Sequence, residues 1–257
     1  MQLLIINPNI STSVTALIEA EARRSASATT ALTVHTAPFG VAYIETRFEA
    51  LIGAYATAQV AAEHVPGHDA VIVAAFGDPG LAGLREVLPV PVLGLTESAL
   101  ASACLLGQHF SIVAISVRIS AWYREVVEAN GLIGRLASIR ALDRPLTGIG
   151  SVQTDHGAAL QALCERAVAE DGADVIVLAG APLAGLARGL RGQLPVPVVD
   201  GVSSAVRHAE SLVALAPGKA ARGSFAPPPA KPNAGLPHAI SSLLTRACKA
   251  AEHTRPA

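Results

Sequence analysis

The feature that most constrains this chain is an internal repeat. Residues 71–99, VIVAAFGDPGLAGLREVLPVPVLGLTESA, recur in altered form at residues 175–205, VIVLAGAPLAGLARGLRGQLPVPVVDGVSSA. Each copy opens on a β-branched apolar run. Each then passes through a small-residue loop containing Pro and the tetrapeptide Leu-Ala-Gly-Leu, at 81–84 and 183–186. Each closes on Leu-Pro-Val-Pro-Val, at 88–92 and 194–198, before a helix-start pattern. A recurrence of this length and order means that one supersecondary unit is used twice. The repeat predicts two similar α/β halves, each aiming one strand-to-loop turn at a shared cleft.

The rest of the chain agrees with that plan. Leu3-Leu4-Ile5-Ile6 is wholly apolar, as in a strand buried on both faces. Asn7-Pro8-Asn9 ends it, and Ser11, Thr12 or Ser13 can cap the helix that follows. Further strands are predicted at 31–35, 69–75, 90–93, 110–116, 136–141, 174–178 and 196–199, with helices between them. Strands alternating with helices over this length indicate two doubly wound parallel-sheet α/β domains with pseudo-two-fold symmetry and a cleft between them. We expect residues 1–95 plus a closing helix at 200–215 in the first domain, and 96–199 in the second. Residues 216–257 read as a Pro-rich linker followed by a C-terminal helix.

Composition narrows the function classes. With 257 residues and 51% of them hydrophobic, the chain can bury a large core or two smaller ones. A formal net charge of −1 leaves no electrostatic footprint for nucleic acid or an anionic membrane. No apolar run reaches the length of a membrane span. The opening Met-Gln-Leu-Leu lacks a basic segment, so no signal peptide is expected. Cys104, Cys164 and Cys248 are far apart and odd in number, which fits a reduced, cytoplasmic location better than a disulfide framework.

Open α/β sheets bind ligands beyond the carboxyl ends of their strands. Four such ends stand out: residues 7–11, 75–80, 116–120 and 180–182. Small residues there let backbone N–H groups approach a carboxylate or a polarised carbonyl. Asn9 and Ser11 fit a carboxylate-binding turn, with capping as the plain alternative. Asp78 could do acid–base work or serve as a turn residue in Gly-Asp-Pro-Gly. Glu97 and Asp200 sit at the starts of helices in the two copies, where capping explains them without chemistry. His64 and His68 are separated by Pro66-Gly67, which forbids a helical metal pair. There is no Gly-x-Ser-x-Gly elbow and no phosphate-loop spacing.

Three of these segments carry a family resemblance. Asn-Pro-Asn-Ile-Ser after the first strand, Ala-Phe-Gly-Asp-Pro-Gly-Leu after the third and Pro-Val-Val-Asp-Gly-Val late in the chain are similar to the hydantoin and allantoin racemases of the aspartate/glutamate racemase superfamily. The resemblance implies a cofactor-independent isomerase, without metal, acting at a carbon next to a carbonyl or carboxylate. It implies a small-molecule substrate bearing a carboxylate or cyclic amide, no nucleic-acid or membrane partner, and a homo-oligomer. In that family two cysteines flank the substrate, one thiolate removing the α-proton and the other thiol returning one from the opposite face. Here the matching positions are Ala75 and Gly180. Tyr43 falls in the segment that covers the site in the family. Ser116 and Ser120 match hydroxyl residues that hold substrate oxygens. Phe76 and Ala181 adjoin the two cysteine positions. Because Ala and Gly accept no proton, two other readings stay open: a cysteine-independent decarboxylase, lyase or isomerase, and a non-catalytic binder of a carboxylate or cyclic imide.

Overall fold

The structure is a computed structural model that describes residues 1–253 except 144, 145 and 147. In the first sheet β1 (Gln2–Asn7) lies between β2 (Ala31–Thr36) and β3 (Ala70–Val73), and β3 pairs with β4 (Val92–Gly94). The second sheet repeats the plan. There β5 (Phe110–Ala114) lies between β6 (Leu136–Ala141) and β7 (Val175–Leu178), and β7 pairs with β8 (Val198–Asp200). All of these pairings are parallel.

Successive strand residues face opposite sides of a sheet, and the cores follow that alternation. Leu3, Ile5 and Ile72 pack with α1 (Thr12–Ser25) and α8 (Gly201–Leu215). Leu4, Ile6, Val71 and Val73 pack on the other face with α2 (Arg47–His64), α3 (Leu81–Val87) and α9 (His238–His253). The second sheet buries its faces under α4 (Leu95–Leu106), α5 (Ser120–Ala129), α6 (Val152–Asp171) and α7 (Leu186–Leu190). The C-terminal helix is therefore docked, with Leu243 sunk into the core of the first sheet.

Two helices change partners. α4 leaves the first sheet and packs on β7 and β8, whereas α8 leaves the second sheet and packs on β3, β4 and α1. They meet at equivalent positions of the repeat: a Cβ on Gly201 would stand 2.6 Å from Leu95 Cβ. The loops after β3 and β7 cross in the same reciprocal way. Phe76 belongs to the core of the second sheet, and Ala181 and Ala184 belong to the core of the first. An ion pair closes the seam from one side. The buried Glu21 of α1 accepts from Arg188 of α7 at 2.7 Å, and also from Arg24 and Ser25.

The repeat is not uniform in three dimensions. In the first copy Leu-Ala-Gly-Leu opens α3, with Gly80 before it in the left-handed region at φ 80°. In the second copy the same tetrapeptide spans the end of a 3₁₀ turn, and its own Gly185 precedes α7 at φ 83°. The second copy lacks the Gly-Asp-Pro of the first, so its tetrapeptide arrives before the chain has turned.

Because Phe76 is 3% exposed and crosses the seam, Phe76→Ala is expected to destabilise the protein by roughly 3–5 kcal/mol. Urea unfolding should show a lower midpoint. A change within about 1 kcal/mol would contradict the packing role.

Candidate active site

The loop after β1 is organised by a residue that sequence reasoning passed over. Asn7 is fully buried, and its amide nitrogen donates to Asn9 Oδ1 (3.1 Å), the Ser11 carbonyl (3.2 Å) and Thr15 Oγ1 (3.0 Å). Asn9 Oδ1 also accepts from the Ser11 N–H at 2.9 Å. The Asn9 amide nitrogen is left without an acceptor among the described residues. Ser11 is the N-cap of α1, its Oγ accepting from the Val14 N–H at 3.3 Å and pairing with Ser13 Oγ. The plain alternative accounts for Ser11, whereas Asn9 presents a donor.

The loop after β3 is held by a cap supplied from a distance. The α4 N-cap position is Gly94, which has no side chain; its counterpart in the second copy is Asp200, which caps α8 through the Ser203 N–H at 2.9 Å. Asp78 fills the gap, accepting from the Thr96 N–H at 2.8 Å and the Glu97 N–H at 3.0 Å. The fit is exclusive, since a Cβ on Gly94 would stand 2.2 Å from Asp78 Cγ. The Gly77 N–H donates back to Thr96 Oγ1 at 2.6 Å. Asp78 itself lies at φ 49°, a conformation that Asp tolerates better than most residues. Although the residue keeps some solvent exposure, its carboxylate is turned inward, and burial pushes its pKa up to about 7 despite the two N–H bonds. The nearby Glu97 charge raises it further.

Ala75 and Gly180 stand where the crossed loops enter the seam. Ala75 is 8% exposed. Gly180 has φ 112°, which L side chains rarely adopt, and a Cβ there would meet only Pro182 Cδ at 3.5 Å. The N–H groups of Phe76, Gly180 and Ala181 have no acceptor among the described residues. Gln153 of α6 pins the β7 loop by donating to the Pro182 and Ala184 carbonyls at 2.8 and 2.9 Å.

An aromatic wall backs the β3 loop. The Phe76 and Tyr123 rings lie 4.8 Å apart, and Trp122 packs so closely on Gly77 that a Cβ would fall 2.3 Å from it. The segment between β2 and α2 is tied to the β1 loop by the Ile10 N–H, which donates to the Val41 carbonyl at 3.1 Å. It carries Tyr43, whose hydroxyl pKa is raised by burial and then by the charge of Glu45. Burial, then the charges of Asp78 and Glu45, raise the Tyr123 hydroxyl pKa, which places both carboxylates within electrostatic reach of that ring. Thus Phe76 and Ala181 cross the seam into opposite cores, Asp78 ties the β3 loop to α4, Asn9 organises the β1 loop, and Tyr43 lies on the segment tied to that loop. Ser116 caps a 3₁₀ turn by accepting from the Arg118 N–H, and Ser120 opens α5. Neither side chain is hydrogen-bonded to the other three loops among the described residues.

None of the three thiols lies in these loops. Cys164 is buried in α6, and burial pushes its pKa up to about 12, the opposite of an activated nucleophile. Cys104 sits in α4, and Cys248 in α9 donates to the Pro228 carbonyl. Among the described residues no group of three or more His, Cys, Asp or Glu side chains is placed to hold a metal ion, and no helix is long and apolar enough to cross a membrane.

With this geometry in hand, comparison with known proteins is informative. The Asp/Glu/Hydantoin racemase family model matches residues 3–209. A hydantoin racemase from Paenarthrobacter aurescens is 39% identical over 220 residues, covering 84% of this chain and 92% of the relative. The solved allantoin racemase from Klebsiella pneumoniae has a TM-score of 0.88 at 35% identity, covering 93% of this chain and 98% of that one. The allantoin racemase from Pseudomonas fluorescens has a TM-score of 0.85 at 36% identity, covering 91% and 100%.

The buried Asp78 carboxyl generates a pH prediction. Its folded pKa lies above the unfolded value, so the native state holds the extra proton between about pH 4 and 7. Its contribution to stability is therefore full below the unfolded pKa and is lost as pH rises through about 7. Relative to Asp78→Asn, the parent protein should lose roughly 2–4 kcal/mol across that window in urea titrations. Parallel curves for the two proteins would contradict the buried cap.

Proposed function

We propose a cofactor-free proton transfer for this chain from its membership: it belongs to the Asp/Glu/hydantoin racemase family and is a racemase-type enzyme acting on a small molecule. The substrate we assign is a cyclic amide of the hydantoin or allantoin type, with its reacting carbon next to a ring carbonyl. The observation that carries this reading is the pair of crossed loops. Their unpaired N–H groups at Phe76, Gly180 and Ala181 can accept the growing negative charge of an enolate oxygen. The Asn9 amide nitrogen, without an acceptor among the described residues, supplies a further donor.

The proton itself must go elsewhere than to a thiol, because residues 75 and 180 are Ala and Gly. We assign its removal to Glu45 on the covering segment; water returns a proton to the opposite face of the enolate carbon, and Glu45 then releases its proton to solvent. Asp78 fixes the loop through α4, and Phe76 with Trp122 and Tyr123 provides an apolar wall for the substituent on the ring carbon. Ser116 and Ser120 stay assigned to substrate oxygens at the rim. A homo-oligomer is supported by the exposed stripe Phe48, Leu51 and Tyr55 on α2. A cytoplasmic location is supported by the free thiols.

The experiment is deuterium incorporation in D₂O from each enantiomer of a 5-substituted hydantoin and of allantoin. The parent protein should exchange, and replacing Cys104 and Cys164 by Ser should leave that rate unchanged. Glu45→Gln should lower it by about 10²-fold or more. Loss of exchange on removing either cysteine would overturn the thiol-free route.

Thiols can also be returned. Ala75→Cys should fold normally and add exchange at one face only. Adding Gly180→Cys should supply the opposite face, at a stability cost of about 1–3 kcal/mol from the positive φ. A folded double variant with no exchange above the parent would count against the placement of the reacting carbon between residues 75 and 180.

A further inference from the structure

The chain beyond residue 209 lies outside the family match, yet it builds half of a cavity of about 440 Å³ against the first sheet. The other half comes from residues 65–68, which lead into β3, and 87–90, which lead into β4. The cavity therefore sits at the N-terminal edge of the sheet, the opposite edge from the seam. Its volume falls within the roughly 300–1,000 Å³ of small-molecule sites.

The lining has two chemical parts. Val65, Leu88, Val90, Pro227, Leu243 and Ala247 give an apolar bed. The polar part is basic: Lys219, Arg246 and His68 line the cavity, and no Asp or Glu does. Neither Lys219 nor Arg246 pairs with a carboxylate among the described residues. The Arg246 guanidinium reaches only the Ala62 carbonyl at 3.4 Å, and the Lys219 ammonium donates to the Arg85 carbonyl. His68 Nδ1 is buried without a hydrogen-bond partner among the described residues. Two cations and a histidine on an apolar cavity wall that carries no carboxylate suit an anionic group. Burial holds the Lys219 ammonium below its usual pKa range, against the opposing pull of the nearby Glu86 charge.

We propose that this cavity binds a small amphipathic carboxylate, its apolar body on Val65, Leu88 and Leu243 and its head between Lys219 and Arg246. A membrane lipid is a poor match, because a space of about 440 Å³ takes one short tail. The half-site contributed by residues 219–247 belongs to this chain's own appendage, so the cavity is separate from the seam and its occupant does not compete with a cyclic amide.

Isothermal titration of the full-length protein with octanoate, 1-octanol and acetate tests this. Octanoate should bind one to one, at least tenfold more tightly than either control, and equally well with a hydantoin present. Arg246→Glu and Lys219→Glu should each weaken it at least tenfold. Ala221→Trp, on the exposed segment at the cavity mouth, should do the same while leaving the circular dichroism and melting temperature of the protein unchanged. Absence of octanoate binding would overturn the proposal, as would equal binding of octanol or acetate. Binding that survives both charge reversals and the tryptophan, or that hydantoin displaces, would overturn it too.

Discussion

The architecture depends on where α4 gets its N-cap. A helix that leaves one sheet to cover another must begin at the seam, where its free N–H groups would be buried without partners. In the second half Asp200 meets this need for α8 locally. In the first half the equivalent residue is Gly94, and the need is met by Asp78 from the β3 loop. One carboxylate thereby fixes the loop that enters the seam and the helix that crosses it. The cap is also why the first loop carries Gly-Asp-Pro and the second does not.

From that constraint the seam follows. With α4 and α8 exchanged and meeting at Leu95 and Gly201, the loops after β3 and β7 must pass each other, each anchoring in the opposite core through Phe76 or Ala181. The N–H groups of Phe76, Gly180 and Ala181 have no acceptor among the described residues. Preorganised donors of this kind stabilise developing charge without having to reorganise. We propose that these donors form the electrostatic part of a carbon-acid enzyme, with alanine and glycine at the positions where the resemblance implies thiols. Gly180 shows that this is more than a missing sulfur. Its backbone sits where a cysteine would be strained.

Much of the fold was legible in the sequence because the signals were local. Apolar runs such as Leu3–Ile6 and the paired Leu-Pro-Val-Pro-Val segments marked strands, and the repeat implied two halves. What stayed hidden depended on contacts between residues far apart. Asp78 read as a local turn residue because its partners lie at 96 and 97. Asn7 read as the end of a strand, although it is the hub of the β1 loop. Tyr123 and Trp122 gave only a helix pattern, since what they face is Phe76 and Gly77 from the other half. The repeat implied equivalent halves, but without the Gly-Asp-Pro the second Leu-Ala-Gly-Leu falls in a turn rather than opening a helix.

The central claim is that one small molecule is held by both crossed loops at once. The most direct measurement is amide chemical-shift mapping of the ¹⁵N-labelled protein during titration with a 5-substituted hydantoin. Phe76, Gly180 and Ala181 should move together along a single saturation curve. Movement confined to one loop, or separate curves for the two, would contradict it.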